Sequence, residues 1–260
     1  MTRLAIPPTI ARTSDEIGFG AVEKIYRPYV LRHAVAAAGV LCIAGLAALA
    51  ALSATRYVWI IWLVFAVLLL GVFWGIGDAW RFSRRRYYLC EGGLLVAADV
   101  TRLTRTIAWD QVAELWRYQT RVYSEHGPQS FHRCRMRLVD GTRVNLEKPP
   151  LAGGDQLSQT IEERVTAVML PAALAVLEAG ERLPFGPLVA TPAGLTTGQG
   201  VLAWADLHTA RVNRLRIRLA PTGPGPSISV RVRTVPNALV LIGLVHRLAP
   251  HATIHFDRSV

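Results

Sequence analysis

The chain has almost no lysine. Two, Lys24 and Lys148, stand against 27 arginines in 260 residues. With so much alanine, that bias reads as the codon usage of a high-GC bacterial genome. The formal net charge of +11 therefore partly reports genome composition rather than choice of partner. Cysteine is also scarce: Cys42, Cys90 and Cys134 are the three, and none forms a C-x-x-C pair. This excludes a disulfide framework and a cysteine zinc site, and agrees with a reducing compartment. No P-loop, H-E-x-x-H, G-x-S-x-G or complete dinucleotide fingerprint occurs, and Gly18-Phe19-Gly20 lacks the third glycine. The seven histidines are scattered, and His251 and His255, four apart, fall on a strand or tail rather than a helix. Glu162-Glu163-Arg164 reads as a solvated helix face without partners for acid–base work. No catalytic residue, cofactor or metal ligand is assigned. Finally, charge is missing from one long stretch: residues 34–80 contain only Arg56 and Asp78.

That stretch holds much of the apolar content behind a hydrophobic fraction of 52% and a mean hydropathy of +0.30. Residues 34–54 and 57–77 are two uncharged runs, each of the roughly 20 residues that span a bilayer core. Both are apolar all round, which disfavours a buried hairpin with one apolar stripe. The first run starts too late and is too long for a signal peptide. The reading is a transmembrane helical hairpin linked by Thr55 and Arg56. Lys24, Arg27 and Arg32 precede it, and Arg81, Arg84, Arg85 and Arg86 follow it. The positive-inside rule then places both termini in the cytoplasm of a multi-pass cell-membrane protein. Gly71 and Gly75, in G-x-x-x-G spacing, are expected to pack against the alanines of the first helix, in preference to making a homodimer.

Downstream, the pattern changes to short strands and turns. Tyr87–Cys90 and Leu94–Ala97 flank Glu91-Gly92-Gly93 as a hairpin. Thr106–Trp109 and Arg133–Val139 are further strands. Asp140-Gly141 turns into Thr142–Leu146. Leu157, Ile161, Val165, Val168 and Met169 then recur at helical spacing, Pro171 is expected to end or kink that helix, and Gly180 reads as a C-cap. The pattern returns: Ala193-Gly194-Leu195 parallels Gly92-Gly93-Leu94, and Leu202-Ala203-Trp204 parallels Ile107-Ala108-Trp109. Arg211–Leu219 is read as one alternating strand and Ala238–Leu248 as a final helix. The domain reading is an N-terminal cytoplasmic segment 1–33, the hairpin 34–80, and two strand-rich modules, 81–180 and 181–260, with Trp109 and Trp204 as structural core residues.

The order Tyr88-x4-Gly93-Leu94, Ile107-Ala108-Trp109-x-x-Val112, Asp140-Gly141 and closing helix resembles bacterial PH-like membrane proteins. In particular it resembles an uncharacterised group with a transmembrane hairpin followed by two PH-like modules. Tyr26-Arg27-Pro28, Gly180-Glu181, Phe185-Gly186-Pro187 and Val235-Pro236-Asn237 belong to the same resemblance. It implies a membrane α-helical hairpin plus an α+β part. That part would be two tandem modules, each a bent antiparallel sheet or partly open barrel closed by a C-terminal helix. It implies no reaction.

Charge on the strands carries the functional reading. Arg133, Arg135 and Arg137 share one strand face opposite Cys134, Met136 and Leu138. Arg214, Arg216 and Arg218 repeat the pattern, and Arg231 and Arg233 do so again. Arg81, Arg84, Arg85, Arg86, Arg133, Arg135 and Arg137 are the lipid-headgroup candidates. Residues 81–150 hold 13 Lys/Arg against 7 Asp/Glu, and residues 151–260 hold 10 against 7, so the first module is expected to bind more strongly. The expected function is a non-enzymatic, membrane-tethered binding or scaffold protein that contacts anionic lipid headgroups or a partner protein. The alternative is an accessory subunit of an envelope enzyme or transporter. Nucleic acid is disfavoured, because the basic strands lack interleaved aromatics.

Overall fold

The computed structural model describes residues 6–28, 39, 43, 45, 58–124, 127–146, 151, 153–198, 200–213, 215–223, 225 and 227–256. The chain divides into two compact units, one of residues 1–106 and 149–152, the other of residues 107–148 and 153–260.

In the first unit, α1 (Pro8–Glu16) starts with proline inside its first turn, where the missing N–H costs nothing. Strand β1 (Val22–Tyr26) follows, then α2 (Val58–Arg84) and strands β2 (Arg86–Cys90), β3 (Gly93–Ala97) and β4 (Leu103–Ala108). The sheet order is β1-β2-β3-β4, with Tyr26 opposite Tyr87 and Tyr88 opposite Leu95. Tyr88, Cys90, Leu94 and Leu95 are buried, with Ile10 and Tyr26. The Ser14 hydroxyl reaches the Gly20 carbonyl at 2.6 Å and the Cys90 sulfur at 3.3 Å. Burial pushes the Cys90 thiol up, which makes it a packing residue rather than a nucleophile.

The second unit opens with a 3-10 turn at Trp109–Gln111 and the hairpin β5 (Val112–Ser124) and β6 (Gly127–Leu138), with β7 (Arg143–Asn145) beside it. Helix α3 (Gly154–Glu178) lies against this three-stranded sheet, with Leu157, Ile161 and Val165 buried. It ends in a Schellman motif: the Glu181 N–H donates to the Val176 carbonyl and the Gly180 N–H to the Leu177 carbonyl, with Gly180 at φ 85°. Strands β8 (Leu183–Phe185), β9 (Leu188–Thr191), β10 (Gly194–Thr197) and β11 (Gly200–Ala203) form a second sheet in the order β11-β10-β9-β8. A second 3-10 turn, Trp204–Asp206, leads into β12 (Leu207–Val212), β13 (Arg216–Pro221) and β14 (Ile228–Arg231). A 3-10 turn at Val232–Thr234, helix α4 (Ala238–Leu248) and β15 (Thr253–Phe256) close the chain. The last sheet runs β14-β13-β12-β15, and β15 is parallel to β12. Its inner face, with Ala210, Ile217 and Leu219 fully buried, shares a core with Leu241, Leu244 and Val245 of α4.

This architecture corrects the fold class read from the sequence. The strands do not form one bent sheet per repeat closed by a helix. They distribute over four sheets, three antiparallel and one mixed, with four α-helices among the described residues. The first sheet takes a strand from the N-terminal segment, and the last gains β15 after the closing helix, because the four apolar-alternating residues Thr253–Phe256 find an open edge on β12.

The membrane hairpin is corrected as well. The helix over the second apolar run does not stop at Gly77; it continues through Asp78, Arg81 and Arg84. Of the first run only Gly39, Ile43 and Gly45 are described. Among the described residues no helix is long and apolar enough to cross a membrane. The transmembrane assignment, the multi-pass cell-membrane localisation and the both-ends-inside topology fall with it.

Two local expectations also change. Of the two outcomes expected at Pro171, an end or a kink, the end does not occur: α3 runs on to Glu178. An interior proline costs about 3 kcal/mol, and the buried faces on both sides of it, Ile161 and Val165 before and Ala173 and Leu177 after, hold the helix together. Arg211–Leu219 is not one strand. The Asn213 side-chain oxygen accepts the N–H groups of Leu215 at 3.0 Å and Arg216 at 2.7 Å, and this turn splits the segment into β12 and β13.

Candidate functional site

The turn at Asn213 builds a basic surface. Folding β13 back on β12 sets Arg211 directly opposite Arg218, and β14 sets Arg231 directly opposite Arg216. Alternation puts all four on the outer face of the sheet, opposite the buried Ile217 and Leu219. On the neighbouring strand His255 lies beside Arg211. All five side chains are exposed. Arg216 donates to the Ser229 hydroxyl at 3.0 Å. Among the described residues no ion pair reaches Arg211, Arg216, Arg218 or Arg231. Thr209, Thr253, Ala220 and Ser229 complete the face, which among the described residues carries no acid and no Phe, Tyr or Trp.

Like charges directly opposite on a sheet destabilise it. At a spacing of about 5 Å, each such pair repels by roughly 0.8 kcal/mol in water. Two pairs on one face are an arrangement that an anion relieves.

The sheet β5-β6-β7 handles its arginines differently. Arg137 is ion-paired with Glu114, and the Arg135 guanidinium sits 5.9 Å from the centre of the Tyr118 ring. Trp116 and Tyr118 stand directly opposite Arg135 and Arg133 in register. This outer face is therefore partly neutralised by its own residues. The backbone of Arg133 lies in β6; its side chain falls outside the described ones. Behind this sheet Arg117 points the other way. It binds Asp155 and Glu162 of α3 at 3.0 Å each and Ser158 at 3.3 Å. Burial, opposed by Arg117, raises the Glu162 carboxyl. The two acids hold Arg117 charged against its own burial. This network fastens the long helix to β5.

In the first unit Arg81, Arg84 and Arg85 are exposed and Arg86 is half-buried. Arg84 stacks 3.7 Å from the Trp80 ring and pairs with Asp99 at 3.4 Å. Arg86 donates to the carbonyls of Ser83 at 2.6 Å and Arg85 at 2.7 Å, and burial together with nearby Arg27 lowers it. Arg84 and Arg86 are thus engaged by the protein's own residues. Gly71 and Gly75 are exposed, and among the described residues nothing lies within 4 Å of a Cβ built on either. Trp109 and Trp204 are buried, and the Trp204 indole donates to the Thr191 carbonyl at 2.9 Å. Among the described residues no group of three His, Cys, Asp or Glu is placed to hold a metal ion.

A family model matches residues 10–251. The chain belongs to DUF6585, a family of unknown function. No curated protein matches the DUF6585 chain, and no solved structure does.

Sequence reasoning named Arg216, Arg218 and Arg231 as basic strand residues but missed Arg211 as their partner. The signal was Asn213. With that residue read as a turn former, the two halves of Arg211–Leu219 become facing strands and the cross-strand pairs follow.

Proposed function

We propose that this DUF6585 chain is a non-enzymatic binding module whose four-arginine sheet face takes the phosphate groups of anionic lipid headgroups. One observation carries the reading: Arg211 opposite Arg218 and Arg216 opposite Arg231, on one exposed face, without an acid among them. Spacing supports it. Three neighbouring strands about 4.8 Å apart present the guanidinium groups side by side, suited to a surface of many phosphates. The absence of Phe, Tyr and Trp among the described residues of the face weighs against single-stranded nucleic acid, which stacks its bases. A basic side chain held near an anionic leaflet contributes about 1 kcal/mol. Four such contacts give about 4 kcal/mol, or roughly a thousandfold in partitioning.

The test is cosedimentation of the purified full chain with phosphatidylcholine vesicles, with and without phosphatidylserine. Binding should require the anionic lipid and fade between 0.1 M and 1 M salt, as the Debye length shrinks from about 10 Å to about 3 Å. Equal binding to both vesicles would overturn the reading. So would unimpaired binding to anionic vesicles in the presence of excess inorganic phosphate and high salt. Displacement from those vesicles by single-stranded DNA or an acidic peptide, at concentrations where inorganic phosphate has no effect, would assign the face to that polymer instead.

A further inference from the structure

The arginines are not spread evenly over their sheet. Strand β12 and the parallel β15 both end where the Asn213–Leu215 turn lies. The antiparallel strands fix the rest: β13 begins there and β14 finishes there with Arg231. The row nearest this end holds Arg216 and Arg231, and the next row holds His255, Arg211 and Arg218. The opposite end carries the acid Asp206, whose carbonyl accepts the Thr222 N–H at 2.8 Å. Charge therefore runs along the sheet, with its basic pole at the turn.

Two large apolar side chains stand out at that same pole. Leu215, in the turn, is 64% exposed, and Phe256, the last residue of β15, is 55% exposed. The turn is firmly built: the Val232 N–H donates to the Leu215 carbonyl at 2.9 Å, which anchors it to the 3-10 turn after β14. That 3-10 turn adds Arg233, also exposed. Leu215 directly precedes Arg216 in the chain, and Phe256 lies on the edge strand β15 beside Val212, so the basic end of the sheet presents two exposed apolar side chains.

We infer that this end of the sheet is a membrane-insertion tip: Leu215 and Phe256 enter the headgroup–acyl boundary of an anionic bilayer while the arginines at the same end of the sheet hold the phosphates. This rests on the headgroup reading above and adds an orientation and an apolar component to it. Charge complementarity selects the occupant, because exposed apolar side chains at the basic end of a sheet fit the interface of an anionic leaflet, where apolar and anionic layers adjoin. An acidic protein surface offers the charge without the adjacent apolar layer. Binding through such a tip has two parts. The electrostatic part is screened by salt, and the apolar part is not.

The double variant Leu215→Asn with Phe256→Asn separates the two, with the full chain and the same vesicles as probes. Both side chains are exposed, so the fold is expected to be retained, and an unchanged thermal melt checks this. The expected result is about tenfold weaker binding to anionic vesicles at 0.1 M salt, with the salt-resistant remainder at 1 M lost. Leu215→Trp should gain fluorescence quenching from lipids brominated near the headgroup, whereas Val201→Trp, at an exposed position of the other sheet, should not. Unchanged binding of the double variant, alongside loss on replacing Arg211 and Arg218 by Ser, would overturn the tip and leave the headgroup reading standing. No preference of the wild type for anionic vesicles would overturn both.

Discussion

Asn237 is the described non-glycine residue with positive φ, at 52°. Its side chain explains why asparagine is there. The amide oxygen accepts the Leu115 N–H at 2.8 Å, the amide nitrogen donates to the Ala113 carbonyl at 3.0 Å, and the Asn237 N–H donates to the Leu115 carbonyl at 2.8 Å. One residue thus imitates a neighbouring strand along the open edge of β5, satisfying groups that burial would leave unpaired. Glu162 is the other residue with a distinct physical consequence. Burial raises its carboxyl above the usual range despite the Arg117 ion pair. A raised acid favours folding most when protonated, and that contribution is lost as pH rises through its folded value. Glu162→Gln removes the dependence. The stability of wild type minus that of the variant should therefore fall between pH 4 and pH 7, as read by denaturant unfolding at each pH. A difference that grows with pH would show that the Arg117 contact outweighs burial.

Among the elements, two glycines separate apparent from real crowding. A Cβ at Gly243 of α4 would meet the end of the Leu170 side chain at 2.9 Å, and that flexible group can turn away. A Cβ at Gly194 of β10 would run into the Leu202 carbonyl oxygen and lie 2.7 Å from the Ala203 Cα, both backbone atoms of the paired strand. Gly243→Ala should change stability by less than about 1 kcal/mol, because helix propensity offsets the contact. Gly194→Ala should cost roughly 2 kcal/mol or more. Thermal unfolding of the two variants compares them directly, and equal losses would refute the distinction. The Gly194-Leu195 element was legible as a repeat of Gly93-Leu94, and the hairpin around Gly92, the Trp-bearing segments and the final helix were legible too. Each rests on a local signal: a turn glycine, alternation, or helical periodicity. What local signals could not supply was strand partnership. β5 and β6 are partners over a dozen residues whose alternation is blurred by tyrosine, threonine and arginine on both faces. β15 is a four-residue strand whose partner, β12, lies on the far side of α4 in sequence. The apolar run before Gly77 pointed to a span, since composition alone does not reveal that the helix continues through Asp78 and Arg84.

At the scale of the whole molecule, net charge and unneutralised charge point to different surfaces. Residues 81–150 hold the larger basic excess, which favoured Arg133, Arg135 and Arg137 as the binding strand. Folding redistributes that excess. Glu114 takes Arg137, Tyr118 takes Arg135, Asp99 takes Arg84, and the Arg117 charge is consumed by Asp155 and Glu162. The smaller excess of residues 151–260 is left concentrated on the β12–β13–β14 face, where no acid shares the surface. A ligand responds to charge that remains unneutralised, so the two faces should separate in two measurements. Replacing Arg211 and Arg218 by Ser should weaken binding to anionic vesicles by at least tenfold, and should leave stability unchanged or raise it by up to about 1 kcal/mol, since a repelling cross-strand pair is removed. Replacing Arg135 and Arg137 by Ser should weaken binding less than threefold. It should also lower stability by about 0.5–1 kcal/mol through the lost Glu114 pair and the Tyr118 contact. Stronger loss of vesicle binding from the Arg135 and Arg137 pair would return the function to the first sheet face and refute the assignment to the second.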